Sequence, residues 1–531
     1  MLRGIVRGKK GTSLKDRSKS LGAVFLEQAE KNGDKIFQID ADAESQDTFA
    51  ALKQRSVPIA VSLRELGVNP QDVVMLCCKN NSDNIVPALA AWYIGARVAS
   101  VDPKQEVPDV KRCLAIVEPK VVFVVEDSLR LVEDSLVGSD IFPRIIVIGK
   151  SAKYKTMAEI ERADICDFKL AEVTGDDVAV IMFSSGTTSV PKGICISHYS
   201  LLYGARGLKE HNSLKNRVLI HFSSMYWASA VMMTGWCVLE AIPKVIGSNM
   251  EGERLLQLIE KYKISYIFSS NIVSYSLTDL DPEVVSKYDT SSLYSYHIGG
   301  STIAPQHLLR LRNLLKHTHV ALLFGTSEVN YAIAFDHTQT KAYLEKVSSS
   351  GTPLPDVELK FIDVETRKPV GPNQQGELLI RTPYMLSGYY KMEKPESFDD
   401  EGFLRQGDLG YYDDDGYIYI TDRISETFKY RTFHVSPSLI EEVFLQHPSV
   451  RQAVVFGIPH PIDRFHAAAC VVPKKNSDIK VDELIEFVNA RVSGSHRIRG
   501  GVKIVEALPK TPSGKIQRRT VKEEFLNNIK C

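Results

Sequence analysis

The sequence predicts an α/β protein, with a large N-terminal domain of layered sheets and helices followed by a small, mobile α+β C-terminal domain. Length is the first reason: 531 residues are too many for one simple core, so more than one domain is expected. The second is alternation. Apolar β-branched runs at residues 121–125, 145–148 and 178–183 read as buried strands, and segments such as 107–117 between them have helical spacing. Strands alternating with helices build largely parallel sheets. The third is a change of style near residue 400. There Tyr411-Tyr412, Asp413-Asp414-Asp415-Gly416 and Tyr417-Ile418-Tyr419-Ile420 spell a hairpin with an Asp-Gly turn.

Taken in chain order, the basic stretch from Met1 to Lys10 is nearly free of acids, as a mitochondrial presequence would be. Its glycines break helical periodicity and its apolar face is thin, so a solvated leader is expected. Residues 225–239 form the longest apolar stretch, ended by Glu240. That is short of the ~18 residues of a membrane span, so a buried helix is expected. Past Thr421-Asp422-Arg423 the pattern becomes that of a small domain. Ser436-Pro437 is placed to cap a helix carrying Ile440, Val443 and Phe444 on one face. Strands are expected at residues 452–458 and 467–472, and an amphipathic helix at 481–492. The boundary falls at residues 422–426, dividing the chain into 1–422 and 423–531.

Composition removes several classes of function. Lys plus Arg number 65 and Asp plus Glu 65. A chain so balanced has no overall field to hold nucleic acid or an anionic membrane. Eight scattered cysteines without a CxxC pair suit a reducing compartment. No histidine stands in an HExxH or other zinc-ligand spacing, so no transition-metal site is expected.

The segment richest in chemistry is Met182-Phe183-Ser184-Ser185-Gly186-Thr187-Thr188-Ser189-Val190-Pro191-Lys192-Gly193. A strand delivers the chain into hydroxyls and glycines that donate to phosphate oxygens, with Lys192 as a point charge. It is not a Walker A loop. Pro191 stands where that loop needs Gly, Lys192 is followed by Gly193 rather than Ser or Thr, and strand-like Ile194-Cys195-Ile196 follows instead of a helix.

This loop resembles the phosphate loop of the adenylate-forming superfamily: acyl-CoA synthetases, 4-coumarate–CoA ligases, beetle luciferases and peptide-synthetase adenylation domains. The likeness continues in order along the chain. Phe324-Gly325-Thr326-Ser327-Glu328, Gly376-Glu377-Leu378 with Ser387-Gly388-Tyr389-Tyr390, and Gly407-Asp408-Leu409-Gly410 resemble successive family motifs. So do Asp422-Arg423 through Lys429 to Pro437, and Leu508-Pro509-Lys510-Thr511-Pro512-Ser513-Gly514-Lys515-Ile516.

The resemblance implies that a carboxylate attacks the α-phosphate of ATP to give an acyl-adenylate and pyrophosphate, after which the thiol of coenzyme A displaces AMP. It implies ATP, Mg²⁺ and coenzyme A as cofactors or co-substrates and a small-molecule carboxylic acid as partner. It assigns roles one residue at a time. Ser184, Ser185, Gly186, Thr187, Thr188 and Lys192 would cradle phosphate, and Glu328 would hold Mg²⁺. Ser327 would donate to the α-phosphate, and Phe324, beside Gly325, would flank adenine opposite Gly299, Gly300 and Ser301. Asp408 would accept the ribose hydroxyls and Arg423 would reach ribose or phosphate. Lys515 would meet the charge developing at the α-phosphate. Lys429 would replace it at the cleft for the thioester step, with His434 nearby, and Tyr226 would gate the acyl pocket.

The chain also departs from the pattern. Ser189 stands where the family has Gly, Ser425 takes the hinge position, and Thr432 replaces a Gly beside the pantetheine tunnel. His434 replaces Gln or Glu, and Leu439 replaces an acid. The adenylation parts are therefore better matched than the thioester-forming parts. The expectation is an acyl-CoA synthetase for a medium- or long-chain fatty acid or an aryl acid. The alternatives are a catalytically weak acyl-AMP or fatty-acid binding protein and a luciferase-like oxygenase. A cytoplasmic location is expected; a peroxisomal one stays open by the resemblance alone, since Ile529-Lys530-Cys531 does not match the Ser-Lys-Leu-like signal of many relatives.

Overall fold

Valine-rich runs that are buried along their whole length build the centre of the first sheet. Val73–Cys77 and Val121–Val125 are buried at every residue, as strands covered on both faces must be. Seven strands lie in the order Gly388–Tyr389, Gly193–Ser197, Val178–Phe183, Arg97–Val101, Val73–Cys77, Val121–Val125, Arg144–Ile148. The last five are parallel, and the first two join antiparallel. The computed structural model describes residues 4–11, 17–161, 165, 168–183, 192–211, 217–300, 303, 305–336, 338–392, 397–475, 477, 479–511 and 515–529.

A second sheet of nine strands is parallel through its middle, where Lys244–Ile246, Leu219–His221, Tyr266–Ser269, Ser295–Ile298 and His319–Thr326 lie side by side. The helix expected in the apolar stretch runs Ala228–Glu240 and is nearly all buried. Among the described residues no helix is long and apolar enough to cross a membrane. The six described cysteines are free and buried; Cys166 and Cys531 lie outside the described residues.

The third sheet departs from the parallel expectation. Ile5–Arg7, Glu358–Ile362, Gly376–Arg381, Leu404–Tyr412 and Ile418–Arg423 pair antiparallel throughout. Antiparallel strands need only short turns between them, and Asp413 supplies one by accepting from the amides of Asp415 and Tyr417. Its first strand also corrects the expected solvated leader. Ile5–Arg7 is fixed to Glu358–Ile362, with Arg7 Nε 2.6 Å from Glu358 Oε1, while residues 1–3 lie outside the described set.

Beyond Arg423 a fourth sheet carries Phe433–Val435, Phe428–Tyr430, Arg464–Pro473, Val450–His460 and, parallel to Arg464–Pro473, Ile498–Ile504. Helices Pro437–Leu445 and Val481–Asn489 cover one face through Ile440, Phe444, Leu484 and Val488. Arg518–Ile529 covers the other through Val521 and Phe525. The second helix stops at Asn489, short of residue 492, because its Asn489 side chain turns to bond the backbone of Ile498. Ser436 precedes its helix as expected, but its hydroxyl makes no cap bond. It donates instead to Asp422, as does Ser438 at 2.7 Å. The buried Asp422 carboxyl is pushed up to about 6 by that burial, against the pull of the two serines.

Candidate functional site

Toward one side of the second sheet, two neighbouring strands end in polar or glycine-bearing segments. Open α/β sheets bind ligands at the carboxyl ends of their parallel strands. Gly299 and Gly300 follow Ser295–Ile298; Phe324, Gly325 and Thr326 end His319–Thr326; Ser327 and Glu328 form the turn into Asn330–Ala334. Gly300 has φ +88°, which a side chain rarely adopts. The close approach that Gly299 permits is within the fold: a Cβ there would lie 2.8 Å from the Leu323 carbonyl oxygen and from the Phe268 ring. The fold alone therefore already excludes a side chain at this position.

Gly325 is tighter still, since a Cβ would lie 2.1 Å from the carbonyl oxygen of Asn330. Gly325→Ala should therefore lower unfolding stability by about 1–3 kcal/mol, the usual cost of overpacking. Denaturant titration of the variant checks it, and an unchanged midpoint would count against the contact.

Asp408 and Arg423 face each other across adjacent antiparallel strands, with Arg423 Nε 3.0 Å from Asp408 Oδ1. Asp408 is buried, yet among the described residues its Oδ2 has no hydrogen-bond partner. Burial raises its pKa, while Arg423 and Lys515 hold it down. Glu328 is raised by burial and by Asp408, and lowered by the Thr326 hydroxyl and Arg423. Gln406 Nε2 donates to Thr326 at 2.5 Å, leaving its own buried Oε1 unpartnered.

Lys515 arrives from the C-terminal region. Its Cε lies 4.0 Å from where a Cβ on Gly300 would stand. Two bonds tie Lys515 to Thr511: the Thr511 amide donates to the Lys515 carbonyl at 2.8 Å, and the Lys515 amide donates to the Thr511 hydroxyl at 3.1 Å. Burial lowers its pKa, Arg423 lowers it further, and Asp408, Glu328 and Glu426 pull it back up. One cleft thus gathers Gly300, Glu328, Asp408, Arg423 and Lys515 from elements more than two hundred residues apart.

Lys192 approaches from the first sheet, with Nζ 5.2 Å from the centre of the Tyr389 ring. The Tyr389 hydroxyl is raised by burial and by the charge of Glu328, which places Lys192 and Glu328 about one aromatic ring. Ser184, Ser185, Gly186, Thr187, Thr188 and Ser301 lie outside the described residues. Tyr226 packs against the Cys113 side of the first sheet, its ring edge-on to Trp227 and its hydroxyl 3.3 Å from Gln105 Nε2.

Lys429 and His434 are not part of this gathering. They are paired across a hairpin and both face Glu365, at 2.9 and 3.5 Å. They line an open hollow of about 570 Å³ with Ile424, Thr427, Phe428, Arg464 and Phe465. Gln406, Glu426 and Glu365 are the groups that sequence reasoning did not single out, while Tyr389 stood in a quoted motif without a role of its own. Gln406 and Glu426 each stand within three residues of a family position, Asp408 or Arg423, which is the signal that was there to find.

Residues 25–390 match the AMP-binding enzyme family, and residues 439–515 match the AMP-binding enzyme C-terminal domain. Among solved structures, the luciferase-like enzyme from the nonluminescent Zophobas morio mealworm is 37% identical, with a TM-score of 0.76, covering 80% of this chain and 100% of that one. Luciferin 4-monooxygenase of Nipponoluciola cruciata is 26% identical over 98% of this chain and 95% of its own. 4-Coumarate-CoA ligase 1 of Narcissus pseudonarcissus is 29% identical, covering 90% and 88%.

Proposed function

We infer, since the chain belongs to the AMP-binding enzyme family of adenylate-forming enzymes, that it activates an apolar carboxylic acid with ATP and transfers the acyl group to coenzyme A. The observation that carries the reading is Lys515 lodged beside Gly300, within the field of Asp408, Glu328 and Arg423.

The residues fit the substrates this chemistry needs. Asp408 Oδ2 is a buried acceptor without a donor among the described residues, an arrangement costly to a fold unless a ligand hydroxyl completes it. Ribose hydroxyls are donors of that kind, and Arg423 fixes the carboxylate from its other oxygen. Glu328 is a carboxylate whose charged form is disfavoured by burial and by Asp408. A Mg²⁺ ion bound with the nucleotide would restore that charge and offset that of the phosphates.

A carboxylate cannot lose oxide, so it must first become a mixed anhydride whose leaving group, AMP, is stable. Its oxygen attacks the α-phosphorus in line as pyrophosphate departs, and negative charge spreads over the phosphate oxygens. Lys515 supplies a positioned ammonium for that charge, and Lys192 stands on the far side beside Tyr389. No protein nucleophile is required; orientation and fixed charge carry the rate.

An apolar acid is favoured over an amino acid. Segments 225–227 and 329–333 carry no charged side chain, and a substrate ammonium would need a buried acid. The buried acid at hand is Asp102, and it is already engaged by Ser224, Trp227 and the amide of Lys104. Medium- and long-chain fatty acids and aryl acids satisfy that environment. Acid-dependent release of pyrophosphate from ATP, measured across such a panel, tests the reading. If no acid raised release above ATP alone, a protein that only binds acyl-adenylate or fatty acid would be the better account.

Asp408→Asn should raise the KM for ATP about tenfold or more, because one charge-assisted bond to ribose is worth ~1.5–3 kcal/mol. An unchanged KM would remove Asp408 from the nucleotide site.

A further inference from the structure

The turn between the two longest strands of the C-terminal sheet holds a side-chain cluster that the proposed reaction does not use. His460 ends Val450–His460 and pairs directly with Arg464, the first residue of Arg464–Pro473. Asp463 sits in the connection and His466 two residues into the return strand. Their His-x-x-Asp-x-x-His spacing matches no zinc motif in the sequence; reversal of the hairpin is what brings them together.

The two imidazole rings stack with centroids 3.8 Å apart and planes 18° apart. Asp463 Oδ2 lies 2.9 Å from His466 Nε2 and 3.8 Å from His460 Nδ1. One donor atom from each of the three residues falls within 4.8 Å of the others. Metal–nitrogen and metal–oxygen bonds of about 2.0–2.2 Å place neighbouring donors roughly 3–3.6 Å apart, so the separations found here bracket those of a shared ion. The carboxylate is already oriented for that purpose. Arg431 Nε binds its other oxygen at 2.7 Å, the kind of outer partner that fixes a ligand. One bond must yield: the Asp463 amide donates to His460 Nδ1 at 3.1 Å. Asp463 itself is buried, whereas both imidazoles are partly open, leaving room for water to complete a coordination shell.

We propose that His460, Asp463 and His466 form a binding site for a divalent transition metal of the zinc class. Two imidazole nitrogens and one carboxylate oxygen suit zinc, cobalt, nickel or copper and do not suit magnesium or calcium. The site touches function through Arg431. That residue turns the chain between Phe428–Tyr430 and Phe433–Val435, the hairpin that carries Lys429 and His434. A cation on Asp463 weakens the hold of that carboxylate on Arg431 and so loosens one anchor of this hairpin.

The test uses the full chain, stripped of metal with a chelator and titrated with Co²⁺ and Zn²⁺ by absorption and calorimetry. One site per chain is expected, weakened at least tenfold in His460→Ala and in His466→Ala and unchanged in His447→Ala, whose ring packs on Phe487 instead. Equal binding by wild type and the His460→Ala/His466→Ala double variant would overturn the proposal, as would no binding by wild type. Should those variants fold poorly, Asp463→Asn keeps an acceptor for Arg431. Electron spin resonance of one equivalent of Cu²⁺ on wild type gives a second reading. Coupling to two imidazole nitrogens, lost or altered in Asp463→Asn, is expected; a signal indifferent to that substitution overturns the site.

Discussion

Replacing Lys515 by alanine is expected to slow acyl-adenylate formation by about a hundred- to a thousandfold, the usual loss when one positioned electrostatic donor is removed from a water-poor site. The nucleotide should still bind, because Asp408, Arg423 and Glu328 are held by strands and turns of the second and third sheets and do not depend on Lys515 for their place. Single-turnover formation of acyl-AMP measures the first effect and equilibrium binding of ATP the second. Pyrophosphate release at the wild-type rate would show that the lysine does not serve the chemistry.

The same lysine gives the reaction a pH signature. Burial and Arg423 lower its pKa from the ordinary lysine range. The ammonium is present below that lowered pKa and is lost as pH rises through it. Adenylation should therefore fall on the alkaline side before an unperturbed lysine, near roughly 10.5, would titrate. Lys515→Arg keeps its charge at all accessible pH, so whatever activity it retains should lack that alkaline limb. Parallel limbs in the two proteins would assign the titration to another group.

Much of this arrangement was legible in the sequence, and the parts that were not have physical reasons. The strands at 121–125 and 178–183 were readable because burial on both faces demands uninterrupted apolar runs. In the antiparallel sheet the hairpin about Asp413–Gly416 was readable from its turn, but the strand Ile5–Arg7 was not, since a three-residue strand takes its stability from a partner more than three hundred residues away. Motif order located Glu328, Asp408, Arg423 and Lys515, but could not say that Asp408 leaves an oxygen unbonded while Arg423 takes the other. Gly299 illustrates the converse. Its residue type was noticed, but its close contact with Leu323 and Phe268 was not, because a clash is a property of packing. Glu365 carried no signal at all: a turn glutamate far along the chain from Lys429 becomes its partner only in three dimensions.

That partner sharpens the last expectation, which rests on the proposed transfer to coenzyme A. Lys429 and Lys515 occupy different places here, one on Glu365 and the other beside Gly300. This arrangement suits adenylation and leaves the Lys429 face idle. Phe433 and Leu439 on that side are 59% and 52% exposed, apolar surface that a second arrangement of the C-terminal domain would cover. Lys429→Ala should therefore slow acyl transfer from preformed acyl-AMP to coenzyme A by about ten- to a hundredfold and leave adenylation within about twofold. Glu365→Gln should not share that loss. It removes a solvent-exposed pair of little net worth, so transfer should stay the same or rise a few-fold as Lys429 is freed to move. Measuring both half-reactions in both variants separates the roles. Equal losses in the two steps for Lys429→Ala, or a transfer defect in Glu365→Gln as deep as that of Lys429→Ala, would mean that the Glu365 pair is the working position of this lysine.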